Sequence, residues 1–177
     1  MNKLFFLVTL VTLQSSSVFA AAEATFSDLK KTIMSEKLHY SERWAATLKL
    51  VETDSPKVEK ELVELADRKE WFIRNAALVG LQKVNPEKAY DLAKKLLKDQ
   101  ALVVRSAALQ VITPVLKSVD RSILWTELAA KYNFRGKSSL WIRKDLVEAL
   151  ADSPMKSEYE RFQGLMKDGD EEIRYQA

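Results

Sequence analysis

Val104-Arg105-Ser106-Ala107-Ala108, read beside Ile73-Arg74-Asn75-Ala76-Ala77, decides the fold. The same arrangement recurs in Glu42-Arg43-Trp44-Ala45-Ala46, in Ile142-Arg143-Lys144-Asp145-Leu146 and in Ile173-Arg174-Tyr175-Gln176-Ala177. The five arginines stand 31, 31, 38 and 31 residues apart, and a period of this length marks a stacked-repeat architecture. Each segment opens an amphipathic helix. Ile73, Ala77, Leu81 and Val84 fall on one face, as do Val104, Ala108, Val111 and Val115, and Ile142, Leu146, Ala149 and Leu150. The spacing is helical and not the alternation of a strand. Ala46, Ala77 and Ala108, three residues after the arginine, let neighbouring helices approach closely.

A second apolar stripe precedes each of these helices. It is carried by Phe26, Leu29, Ile33 and Met34; by Val58, Leu62, Leu65 and Ala66; by Ala89, Ala93, Leu96 and Leu97; by Ile123, Leu124, Leu128 and Tyr132; and by Tyr159, Phe162 and Met166. Ser55-Pro56, Asn85-Pro86 and Ser153-Pro154 each set a capping side chain before a proline suited to the first helical position, with Ser157 and Glu160 as an alternative capping box for the last. The unit is helix, turn, helix. It cannot bury its apolar face alone, so successive units must stack. The expected fold is all-α: a right-handed α-solenoid of antiparallel helix pairs, about four and a half repeats long, with no strand.

This pattern resembles HEAT-like repeats, above all the short type found in phycobilisome lyases, in which a leucine-rich helix is followed by aspartate, a valine- or isoleucine-arginine pair and alanines. The residues that carry the likeness are Leu96-Leu97-Lys98-Asp99 through Val104-Arg105-Ser106-Ala107-Ala108-Leu109, and Leu165-Met166-Lys167-Asp168 through Ile173-Arg174. The resemblance implies a scaffold or adaptor, and in a few relatives an enzyme; it specifies fold far better than function.

The first 22 residues read as an export signal. Lys3 supplies the positive charge, Leu4 to Leu13 the apolar run, and Val18-Phe19-Ala20 the small residues of a cleavage site. The run is shorter than the roughly 20 residues a bilayer span needs. The expected division is a signal peptide at 1–22 and a solenoid domain at 23–177, with the mature chain periplasmic or secreted and no integral membrane segment. The chain has no cysteine, which rules out a lipid-modified one. Its 28 basic and 25 acidic residues leave a net charge of only +3, too even a balance for a nucleic-acid partner. His39 is the only histidine, and no phosphate loop, nucleophile elbow or metal-ligand spacing is present, so neither cofactor nor metal nor catalytic residue is expected.

The arginine ladder, Arg43, Arg74, Arg105, Arg143 and Arg174, has a structural reading. Asp99 and Asp168 stand six residues before Arg105 and Arg174, and Asp67 seven before Arg74, so a turn carboxylate can hold an arginine of its own or of a neighbouring unit. Arg43 and Arg143 depart from this, with lysines at positions 37 and 137.

Function is sought where a repeat breaks its own rule. The 38-residue spacing inserts about seven residues around Asn133 to Ser139, expected to form an exposed, tolerant loop. Trp125, Phe134, Arg135, Lys137, Trp141 and Lys144 are the candidate binding residues, since aromatics beside cations suit a peptide or an anion. Asp145 replaces the usual alanine four residues after Trp141, a spacing shared with HEAT-like DNA glycosylases. Thr113-Pro114 predicts a bend late in the third unit. The column after each arginine, Trp44, Asn75, Ser106, Lys144 and Tyr175, is varied, as a recognition face would be. The last helix is short and leaves Tyr159, Phe162, Leu165 and Met166 as an apolar edge, expected either because the sequence is a piece of a longer array or because the edge docks on another chain. The reading is an exported, non-catalytic binding or scaffold module for protein or peptide; the alternatives are a lyase-like or glycosylase-like enzyme, or a structural spacer.

Overall fold

The two apolar stripes of each repeat become two helices that close on each other. A computed structural model describes residues 24–116 and 120–177; the signal segment, 1–22, lies outside the described residues. First helices are α1 (Phe26–Met34), α3 (Val58–Leu65), α5 (Pro86–Leu96), α7 (Ser122–Ala129) and α9 (Tyr159–Leu165). Second helices are α2 (Tyr40–Lys49), α4 (Trp71–Val84), α6 (Leu102–Ile112), α8 (Trp141–Ala151) and α10 (Glu171–Gln176). Second helices pack directly on one another from α2 through α10. First helices pack chiefly against second helices, so α2, α4, α6, α8 and α10 form one continuous layer.

The core is the seam between the layers. Ile33, Leu62, Ile73, Leu81, Leu97, Ile112, Leu124, Ile142 and Leu146 are essentially sealed from solvent. Ala46, Ala77 and Ala108 are buried where second helices meet, as their small size predicts. Gly80 serves a similar purpose on α4: a Cβ there would stand 3.1 Å from Leu62 Cδ2 and 3.3 Å from Val51 Cγ1.

Local signals hold in part. Asn85 caps α5 by accepting from Lys88 N at 3.1 Å, with Pro86 in the first turn. Ser153-Pro154 does not cap α9, nor do Ser157 and Glu160 form its capping box. The chain instead runs through a 3-10 turn, Lys156–Glu158, in which Met155 N donates to Glu158 Oε2. Pro114 ends α6 in place of bending it, because a 3-10 turn, Thr113–Val115, takes over where the proline lacks a donor. Strand also appears: β1 (Phe134–Arg135) and β2 (Ser138–Ser139) pair antiparallel across Gly136-Lys137. Gly136 has φ +64°, the left-handed geometry that a two-residue hairpin turn requires. In α9 only Phe162 is buried, while Tyr159 and Met166 are exposed.

Because the alanine seam admits no extra volume, Ala77→Leu or Ala108→Leu should each lower stability by about 1–3 kcal/mol in urea melts. Unchanged melts would mean that the register of the second-helix layer is wrong.

Candidate functional site

Each ladder arginine begins with the same local geometry. It lies in the first turn of a second helix and folds back toward the turn that precedes it. Arg74 Nη1 donates to Arg68 O and Lys69 O, both at 2.8 Å, and Arg105 Nη1 donates to Asp99 O at 2.6 Å and Gln100 O at 3.2 Å. Arg43 and Arg143 use Nε on the main chain, reaching Ile33 O at 2.8 Å and Leu128 O at 3.0 Å. The remaining edge of the guanidinium then faces the next unit.

The carboxylates come from that next unit. Arg74 holds Asp99 through Nε and Nη2, both at 2.7 Å, and Arg143 holds Asp168 at 2.6 and 3.3 Å. Arg43 Nη2 donates to Glu70 Oε1 at 2.9 Å. The pairing therefore runs backward: a turn carboxylate serves the arginine of the unit before it, and not the one six residues downstream. Asp67 takes no part, and Glu70, unmarked by the aspartate pattern, is the first rung. Arg43 and Arg143 cease to be departures, since Glu70 and Asp168 are their partners. Arg174 stays exposed and donates to Asp168 O at 2.8 Å.

Arg105 is the exception. It is only 3% exposed, and among the described residues no carboxylate lies within salt-bridge distance, its Nε has no partner, and its Nη2 meets only Tyr132 O at 3.4 Å. The inserted residues stand where the rung should be. Tyr132 lies beside the guanidinium, with its ring centroid 5.4 Å away, and its hydroxyl donates to buried Glu127 in a short bond. Burial, reinforced by that carboxylate, pushes the Tyr132 phenol up to about 12. Buried Asn133 donates to Glu127 O at 2.7 Å and accepts from Leu140 N at 2.9 Å. Phe134 stacks 4.2 Å from the Arg143 guanidinium, and Ser139 Oγ accepts from Arg143 Nη1 in a short bond. Arg135 to Ser138, the tip of the hairpin, is exposed, but Arg135 pairs with Ser138 and Ser139 is tied to the ladder, so the insertion is less free than its composition predicts.

Above the ladder, the second helices present a common outer face. Its columns are the third residue before each arginine and the first after it: Tyr40 and Trp44, Trp71 and Asn75, Leu102 and Ser106, Leu140 and Lys144, Glu171 and Tyr175, with Trp141 one position beyond Leu140. Trp44 Nε1 donates to Asn75 Oδ1 at 3.2 Å and Asn75 Nδ2 to Val103 O at 3.4 Å, which joins the columns across three units. Tyr40, Trp71 and Phe72 pack ring against ring at 5.8–6.5 Å, yet Tyr40 and Trp71 remain 52% and 43% exposed, and Trp141 53%.

The family model of HEAT repeats matches residues 31–113, which contain Arg43, Arg74 and Arg105 and the units they join. Residues 31–113 are HEAT repeats. No curated protein matches the chain. In HEAT terms the ladder joins unit to unit and the outer columns are the surface that the repeats hold up.

The candidate binding residues of the HEAT stack are not gathered into one site. Trp125 is half-buried, donates from Nε1 to Glu158 Oε1 at 2.7 Å and meets Phe162 edge-on at 5.1 Å. Phe134 covers Arg143, and Lys144 pairs with Glu172 at 2.5 Å. Arg135, Lys137 and Trp141 are exposed. Asp145 is half-buried and its carboxyl is pushed up, first by burial and then by the Glu148 charge. It lies in an open groove of about 330 Å³ with Ser106, Gln110, Thr113, Glu148 and Asp152, and Trp141 is not part of that lining. Sequence reasoning missed Arg121, which is buried between α7 and α9. It pairs with Glu158 at 2.9 Å and donates to Ser153 O and Leu150 O. An arginine one residue before α7, outside the 31-residue period, gave no repeat signal. Among the described residues no three His, Cys, Asp or Glu side chains are placed to hold a metal, and no helix is long and apolar enough to cross a membrane.

The rungs make stability depend on acid. Burial alone would raise the Glu70 carboxyl, but hydrogen bonds from Arg68 and Arg43 outweigh it and hold it at about 2, below the ordinary 4.5. The Arg143 hydrogen bonds likewise hold Asp168 below its usual range. A depressed carboxylate stabilises the fold fully above its unfolded value and loses that contribution as pH falls toward the folded one. Unfolding free energy should therefore decline between about pH 4.5 and 2, with Glu70 responsible for a loss on the order of 3 kcal/mol. Glu70→Gln should be less stable at pH 7 and should flatten this decline; an unchanged slope in urea melts across the window would contradict the rung.

Proposed function

We propose that this chain is an exported, non-catalytic HEAT-repeat module that holds a protein or peptide on the outer face of its second helices. HEAT repeats generally mediate protein–protein interaction, and that family property supports the reading. The observation that carries it is the aromatic row. Tyr40, Trp44, Trp71 and Trp141 expose large rings on helices whose other faces are locked into the core. Exposed aromatics on a rigid scaffold serve as binding anchors, since they bury much area at little entropic cost. Exposed cations stand in the segments that lead into two of the second helices: Lys69 before α4, and Arg135 and Lys137 before α8. Export rests on the N-terminal pattern of charge, apolar run and small residues. The apolar margin formed by Met155, Tyr159 and Met166 extends the contact surface toward the last unit, and we place docking on another chain there as well.

The enzyme alternatives have less support. The groove at Asp145 is open, and the tryptophan that a glycosylase-like pocket would need lies outside it. A pure spacer has no need of exposed rings at three separate units.

Trp71→Ala combined with Trp141→Ala should leave the circular dichroism spectrum intact, because both rings are about half in solvent. Capture of the partner from envelope extract, quantified by mass spectrometry, should fall at least about tenfold. Undiminished capture would remove the aromatic row as the binding face.

A further inference from the structure

We propose that the cleft over Arg105 receives a carboxylate side chain of an acidic peptide; this rests on the peptide-binding reading above and names the chemistry of the partner. The comparison that carries it is internal to the chain. Arg74 and Arg105 hold their own turns in the same way, through Nη1 to two main-chain carbonyls. On Arg74 the opposite edge, Nε with Nη2, grips Asp99 in a bidentate pair. On Arg105 the same edge, Nε with Nη2, has no carboxylate among the described residues. Nε is buried without a partner, and Nη2 has one long contact to a carbonyl. A buried guanidinium edge left in this condition is costly, and a bidentate carboxylate is the group whose geometry completes it.

The acids already present do not fill the role. Asp99 is engaged by Arg74 and by Ala101 N. Glu127 has one oxygen on the Tyr132 hydroxyl and the other unpartnered, and it forms no salt bridge to Arg105. Burial lowers the Arg105 pKa, with only partial compensation from Tyr132, Asp99 and Glu127.

The surroundings suit an acid. The cleft has a volume of about 370 Å³, and Lys98 and Arg135, both exposed, stand on its lining with Tyr132, Leu102 and Leu140. Leu102 and Leu140, both on this lining, continue the column of Tyr40 and Trp71. A peptide anchored on those two rings and lying along the column thus reaches the Arg105 cleft at the next unit. The carboxylate enters as the Tyr132 turn moves its carbonyl off Nη2. Lys98 and Arg135 draw the acid in, and Nε and Nη2 of Arg105 then bind its two oxygens.

The test follows the Arg105 Nε–Hε resonance of the whole chain in ¹H–¹⁵N spectra, assigned by its loss in Arg105→Lys. The probes are N-acetyl-hexaglutamate amide, the matching hexaglutamine peptide, and sodium acetate. Hexaglutamate should shift this resonance saturably and hexaglutamine should not. Acetate should do so only at concentrations at least about tenfold higher, because it lacks the flanking contacts. Lys98→Ser with Arg135→Ser, both exposed and safe for folding, should weaken the hexaglutamate response about tenfold through loss of charge attraction. Silence toward hexaglutamate, an equal response to hexaglutamine, or acetate saturating as readily as the peptide would each overturn the assignment. The two proposals fail separately. A hexaglutamate shift at Arg105 alongside undiminished partner capture by the Trp71→Ala, Trp141→Ala chain would sink the aromatic face and keep the carboxylate site. Lost capture with a silent Arg105 would do the reverse.

Discussion

At the start of three of the second helices a buried arginine finds its carboxylate in the turn of the next unit. Arg43 with Glu70, Arg74 with Asp99 and Arg143 with Asp168 are such pairs, all largely withdrawn from water. Such a pair gains little over an apolar contact of the same size, but breaking it strands a charge in the core. Its effect is on register. One guanidinium ties its own turn through main-chain carbonyls and the following turn through a carboxylate, so the offset between units is fixed at every rung. The small buried residues Ala46, Ala77 and Ala108 allow the second helices to lie close to their neighbours. Together they make a stiff layer that can hold aromatic rings in solvent on its outer face.

Much of this was legible in the residues. The arginine period, the two apolar stripes and the small residues after each arginine lead directly to helix pairs, since helical periodicity and repeat length are strong local signals. The direction of the ladder was not legible. Spacing along the chain favours Asp99 with Arg105, six residues on, whereas the side chain of Asp99 turns toward Arg74 in the preceding unit. A sequence separation cannot show which way a turn carboxylate points. For the same reason Glu70 passed unnoticed: it sits next to α4, nearer the helix than Asp99 and Asp168 sit to theirs.

The insertion was legible as an irregularity and not as a structure. Its glycine and serines predict a loop, and a hairpin turn is there, but Asn133, Phe134 and Ser139 are fastened to Glu127 and Arg143. Its main consequence lies one unit earlier, where Tyr132 occupies the place of a rung and leaves Arg105 without a carboxylate. Candidate residues picked for aromaticity separated for a related reason. Trp125 has an indole N–H that finds Glu158 and a ring that finds Phe162, so it packs inward, whereas Trp141 begins its helix on the outer face. The exposed rings at the starts of α2, α4 and α8 emerge only once the helix starts are known.

The claim on which the rest depends is that these ion pairs couple neighbouring units. A double-mutant cycle on Arg74→Met and Asp99→Ala, read as unfolding free energy in urea at pH 7, tests it directly. Asp99→Ala alone should cost about 3–5 kcal/mol by stranding the Arg74 charge, and far less once Arg74 is methionine, for a coupling of about 1.5–3 kcal/mol. Additivity within about 0.5 kcal/mol would contradict the account, because the two side chains would then be neighbours without being partners.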